Sequence, residues 1–146
     1  MCKLSNLCLA ATASLILASR AISASPATPD ELQLHVPAAG SPEREAISKA
    51  LRTGKTASVK FDYIKAHNCW AWVDATPLDR KGQPLAEGGT QLLHLENGKW
   101  KVIDLSKVPA DPADPMDRED VSPGFVKNLL KTYPEVPKDI LPKPRH

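Results

Sequence analysis

The chain has 146 residues, 42% of them hydrophobic and 25% charged, with 19 basic against 17 acidic side chains. That length suits one domain rather than two, and the balance excludes a coiled coil, a collagen-like chain and a polytopic membrane protein. With 14 prolines against 7 glycines, its connections are stiff and extended rather than flexible.

Residues 1–24 read as an export signal. Lys3 and Arg20 are the only charges, and the mainly apolar run Leu7 to Ala18 is too short for the ~30 Å of a bilayer core. Small residues follow, allowing cleavage after Ala21, Ser23 or Ala24. A lipid anchor at Cys8 does not fit, because Leu7 precedes the cysteine and the apolar core follows it. The expected product is exported, periplasmic or extracellular, with no transmembrane anchor. Processing lowers the basic count from 19 to 17, equal to the acidic count. A formally neutral chain without a basic stripe gives no reason to expect nucleic acid as a partner. The cysteines fall from 3 to one, Cys69, so the processed chain is expected to fold without an internal disulfide.

Residues 25–40 hold three prolines and little periodicity, which predicts an extended lead-in with Leu32, Leu34 and Val36 packed as an edge segment. A domain follows over 41–133. Ser41 is a suitable N-cap, Pro42 suits the first helical position and Glu43 complements the helix dipole. Ala46, Ile47, Ala50 and Leu51 form one helical stripe, and Gly54 is placed to end the helix.

Strand patterns come next. Val59, Phe61 and Tyr63 alternate with Lys60 and Asp62, predicting one shared face. Trp70 to Ala75 is rich in strand formers, with Trp70 and Trp72 on one face and Cys69, Ala71 and Val73 on the other. Asp79 to Pro84 reads as a hairpin tip. Gln91 to Glu96 and Trp100 to Leu105 flank Asn97-Gly98, a strong two-residue hairpin signal. That turn pairs Glu96 with Lys99, His94 with Lys101 and Leu92 with Ile103, and puts His94 on the wetter face. Leu93, Leu95, Trp100 and Val102 share the face expected to pack under the helix. The prediction is α+β: an N-terminal helix on a four-stranded antiparallel meander.

Beyond Leu105 the composition turns to proline and aspartate. A short C-terminal helix opens at Ser122-Pro123, with Phe125, Val126, Leu129 and Leu130 as its apolar stripe, and stops before Pro134. Residues 134–146 read as an extended proline-rich tail.

The run Ser41-Pro42-Glu43-Arg44-Glu45-Ala46-Ile47, then Trp70-Ala71-Trp72-Val73 and Gly98-Lys99-Trp100-Lys101-Val102, resembles small exported bacterial proteins of no assigned activity. These carry a PEREAI helix followed by a tryptophan-bearing antiparallel sheet. The resemblance covers residues 41–105 and implies a fold, without catalytic residues. A helix wrapped by a meander is also similar to the cystatin or nuclear-transport-factor-like class at fold level. The cystatin inhibitory Gln-x-Val-x-Gly does not occur, so no protease inhibition is carried over.

Candidate chemistry is sparse. His67 and Cys69 lie two apart and would share a strand face, where a thiolate beside an imidazole begins a nucleophile–base pair or a metal site. The plainer reading is a small buried thiol beside a turn histidine. Asp111 to Asp120 carries aspartates every third residue without a central glycine, unlike a calcium loop, and reads as a solvated segment. Trp70, Trp72 and Trp100 offer an aromatic binding platform only if their face is open; otherwise they are core. No phosphate loop, nucleophile elbow, His-Glu-x-x-His or paired-cysteine motif occurs, so no cofactor or metal is expected.

The sequence is thus read as a non-enzymatic exported module that binds a protein or cell-envelope component through its sheet face or tail. The alternatives are a small thiol-dependent hydrolase using Cys69 and His67, and a small-ligand carrier with a pocket between helix and curved sheet.

Overall fold

The computed structural model describes residues 33–113 and 121–143. The expected export signal, the first part of the lead-in, most of the acidic run and the last three tail residues lie outside them. Helix α1 (Pro42–Leu51) precedes strands β1 (Ser58–His67), β2 (Trp70–Leu78), β3 (Gly89–Glu96) and β4 (Lys99–Ile103), and helix α2 (Pro123–Thr132) follows. The strands form one antiparallel sheet in the order β1-β2-β3-β4. This is the expected α+β meander. Among the described residues, no helix is long and apolar enough to cross a membrane.

Helix α1 begins as its sequence dictates. The Arg44 amide donates to Ser41 Oγ at 3.2 Å, and Pro42 needs no amide partner in the first turn. The helix ends earlier than predicted, with Arg52 as its C-cap. Gly54, at a φ of +55°, serves the next turn instead, which the Thr56 amide closes onto the Thr53 carbonyl at 3.0 Å. Ile47 is fully buried, Ala50 and Leu51 partly, and Ala46 is exposed, so the buried stripe is narrower than the predicted one.

The lead-in is an edge segment, though not through the residues expected. His35 exchanges two backbone hydrogen bonds of 2.9 Å with Ala66 on the outer edge of β1. Strand alternation then turns Leu34 and Val36 outward, 45% and 61% exposed, while Pro37 is buried. Side chains of α1 hold the segment. His35 Nε2 lies 2.7 Å from Glu43, and Arg44 donates to the Pro37 carbonyl while its guanidinium sits 4.9 Å over the Phe61 ring.

A β-bulge decides which face each β1 residue takes. Phe61 opposes Ala75 and Tyr63 opposes Asp74, leaving Asp62 without a partner. The extra residue reverses the alternation at that point. Val59 and Phe61 therefore share the α1 face with Ile64 and Ala66, whereas Tyr63 joins the opposite core. The single face predicted for Val59, Phe61 and Tyr63 is corrected accordingly.

The sheet is covered on both sides, and this too differs from the sequence reading. Against α1 lie Ile64, Ala71, Val73, Leu93 and Trp100. The other face carries Trp70, Trp72 and Leu92 under α2, whose Phe125 and Leu129 are buried. Ser122 caps α2 by accepting from the Phe125 amide at 3.1 Å. The expected tail belongs to this second core. Val136, Ile140 and Leu141 are buried in it, a 3-10 turn spans Lys138–Ile140, and Tyr63 Oη donates to the Ile140 carbonyl at 3.0 Å. Apolar residues spaced among the prolines supply the anchoring that a free tail would lack.

Candidate functional site

His67 and Cys69 do not share a strand face. Asn68 and Cys69 occupy a two-residue turn between β1 and β2, at φ of +50° and +67°. Paired positive φ values are the geometry of the primed hairpin turn. His67 therefore stands opposite Trp70, and its Nδ1 lies 2.9 Å from Asp139 Oδ1 on the C-terminal 3-10 turn. Cys69 is buried and disulfide-bonded. The chain's other cysteines, Cys2 and Cys8, lie outside the described residues. The expectation of a disulfide-free fold concerns the processed chain, whose one cysteine would be Cys69.

The tryptophans do not form one platform. Trp70 and Trp72 are 6% and 0% exposed under α2, and Trp100 lies on the opposite face at 8%. Buried rings present no open surface to a glycan or peptide, so the binding role expected of Trp70 and Trp72 finds no exposed face here.

Register instead assembles a polar row that sequence reasoning missed. His67, Trp70, His94 and Lys101 stand side by side across all four strands. His94 is half-buried and stacks on Trp70, with ring centroids 4.1 Å apart and planes 16° from parallel. Glu96 receives Lys101 Nζ at 2.6 Å and lies 3.3 Å from His94 Nδ1. The Lys101 hydrogen bond, then that of His94, holds the Glu96 carboxyl below its ordinary value. Each histidine is thus engaged by one carboxylate. Among the described residues, no three metal-ligating side chains gather at one point.

A concavity lies on the α1 face. Helix α1 has 10 residues and spans about 15 Å, while β1, also of 10 residues, runs about 33 Å. One short helix cannot roof the whole face. Beyond its C-terminal end the sheet stays open in a groove of about 630 Å³, floored by Val59, Ala75, Trp100 and Val102 and walled by Ala50 and Leu51. Gln91 and Glu87 supply polar groups at its margin. Val102 is 42% exposed there. A second groove of about 560 Å³ on the α2 side is lined by more polar groups, Asp74, Thr90 and Ser106 among them. The sequence placed Trp100 and Val102 on the helix face correctly. Only the helix length against the strand length reveals that the helix stops short of covering them.

Compared with protein-family models, curated proteins and solved structures, the chain matches none.

Proposed function

We propose that this protein is an exported, non-enzymatic binding module of the cell envelope that holds its partner against the α1 side of its sheet. The observation that carries this reading is the groove of about 630 Å³ beside α1. Its size falls within the range of ligand sites, and its apolar floor with a few polar groups at the margin is their usual chemistry. The half-exposed Val102 supports it, since a large aliphatic side chain is left open next to a buried tryptophan. Export is supported by the charged, apolar and small-residue order of residues 1–24. The thiol-hydrolase alternative is disfavoured by the arrangement of its two residues: His67 turns to Asp139, and Cys69 is buried in the turn between β1 and β2.

Site-specific photo-crosslinking in the producing cell tests the reading. A photoreactive residue at position 102 should give an envelope-fraction adduct, and one at Lys131, exposed on α2, should not. Equal adducts from both positions, none from position 102, or adducts confined to the cytoplasm would overturn it.

A further inference from the structure

We propose that the free edge of β4 takes up an extended segment of a partner protein in which apolar and acidic residues alternate. Its apolar side chains enter the groove, and its acidic ones lie beside Lys99 and Lys101. The proposal rests on the groove reading above and names the kind of partner it holds.

The two edges of the sheet differ. The outer edge of β1 is engaged by the backbone of His35, whereas β4 ends the strand order and, among the described residues, nothing pairs outside it. Which backbone groups face outward follows from the hairpin. Asn97 and Gly98, at φ of +52° and +72°, form a two-residue turn that makes Glu96 and Lys99 a hydrogen-bonded pair. Hydrogen-bonded and non-bonded pairs alternate along an antiparallel ladder. The pairs Leu95 with Trp100 and Leu93 with Val102 are therefore the non-bonded ones. The Leu95 amide confirms the phase independently, because it points away from β4 and donates to the Cys69 carbonyl at 2.7 Å. Trp100 and Val102 consequently turn their amides and carbonyls outward, where an added strand would meet them.

The same two residues floor the groove with their side chains. An incoming strand paired to their backbone would send every second side chain into that apolar space. The intervening side chains would fall on the other face, next to Lys99 and Lys101. Lys101 is shared with Glu96, but Lys99 is exposed and makes no ion pair among the described residues. One uncompensated ammonium and one shared one favour acidic neighbours, since opposite charges directly across a strand pair attract. A second copy of this chain fits badly. Pairing β4 with itself through Trp100 and Val102 sets lysine against lysine, and lysines on an edge strand ordinarily discourage such association.

The test uses the mature protein and two synthetic peptides of about seven residues, long enough to cover the edge of β4. One alternates valine and glutamate, the other valine and lysine. Binding is followed by NMR amide shifts and hydrogen exchange, with an apolar fluorescent dye as a separate reporter of the groove. The glutamate peptide should slow exchange at Trp100 and Val102 selectively, displace the dye, and bind about tenfold tighter than the lysine peptide. Val102→Pro should weaken it at least about tenfold, because proline deletes an outward amide while sparing the ladder to β3. Lys99→Glu should invert the preference between the peptides. Protection elsewhere, equal binding of both peptides, indifference to Val102→Pro, or self-association through β4 in the ultracentrifuge would overturn the proposal. Dye binding without peptide binding would overturn the strand partner alone, whereas failure of both would overturn the groove reading as well.

Discussion

His94 lies flat on Trp70, ring over ring at 4.1 Å, although the two residues are 24 positions apart and on neighbouring strands. The imidazole roofs one side of the indole, and Tyr133 from the end of α2 approaches it with a centroid distance of 6.4 Å. Stacked aromatic pairs contribute about 0.5–1.5 kcal/mol beyond their buried area. His94→Ala should therefore lower stability by about 1 kcal/mol and shift tryptophan emission to longer wavelength as Trp70 meets water. His94→Phe should keep both near wild type. Urea unfolding followed by fluorescence checks this, and wild-type emission in His94→Ala would show that the stack does not shield Trp70.

Glu96 gives the sheet an acid-dependent contact. Its carboxyl is held below the ordinary value first by the Lys101 hydrogen bond and then by His94. A carboxyl depressed in the folded state adds stability above its unfolded pKa, and that contribution fades as pH falls through the folded value. The affected window is therefore acidic, at and below the ordinary carboxylate range. Lys101→Gln should raise the Glu96 midpoint towards ordinary and weaken the loss of stability on acidification. Carbon-detected NMR titration of the Glu96 side chain measures the shift. An unchanged midpoint would remove Lys101 as the cause.

Asp62 is exposed and pairs with Lys60 at 2.7 Å on the surface, so its side chain matters little. Asp62→Ser should change stability by less than about 1 kcal/mol, the range of exposed ion pairs. Deleting the residue is different. Without the bulge, Val59 and Phe61 would turn from the α1 core to the opposite face, or the rest of β1 would turn instead. The deletion should abolish a cooperative unfolding transition or leave one with a much lower midpoint. Similar midpoints for the substitution and the deletion would mean that the bulge does not set the register.

Ile140 lies completely buried within what the sequence presents as a tail. Ile140→Ala should cost about 2–5 kcal/mol, as for buried aliphatic truncations, whereas Lys143→Gln at the surface should stay within about 0.5 kcal/mol. A chain ending at Pro134 loses Val136, Ile140 and Leu141 together and should show no cooperative transition. Circular dichroism during thermal unfolding distinguishes these variants; a truncated chain that melts like the full one would place the C-terminal segment outside the core.

What the sequence by itself determined is local. Ser41-Pro42 and Ser122-Pro123 carry their own capping chemistry, so both helix starts are legible from a few neighbouring residues. Asn97-Gly98 fixes a turn through positive φ, and the turn fixes the pairs from Glu96 with Lys99 to Leu92 with Ile103. Tertiary structure decided what depends on distant partners. The bulge at Asp62 leaves no compositional mark, yet it sends Tyr63 to the opposite core from Phe61. Cys69 looks like a strand residue until its positive φ places it in the turn, separating it from the alternation that would have joined it to His67. Asp139 reaches His67, and Ile140 reaches the tryptophan core, across some 70 residues that carry no local signal of the meeting. The groove is a matter of proportion: a 10-residue helix laid on longer strands leaves sheet uncovered. Turns and caps are short-range hydrogen-bond problems, which a few adjacent residues can solve. Coverage and convergence depend on how separate elements share one core, and only the folded chain sets that.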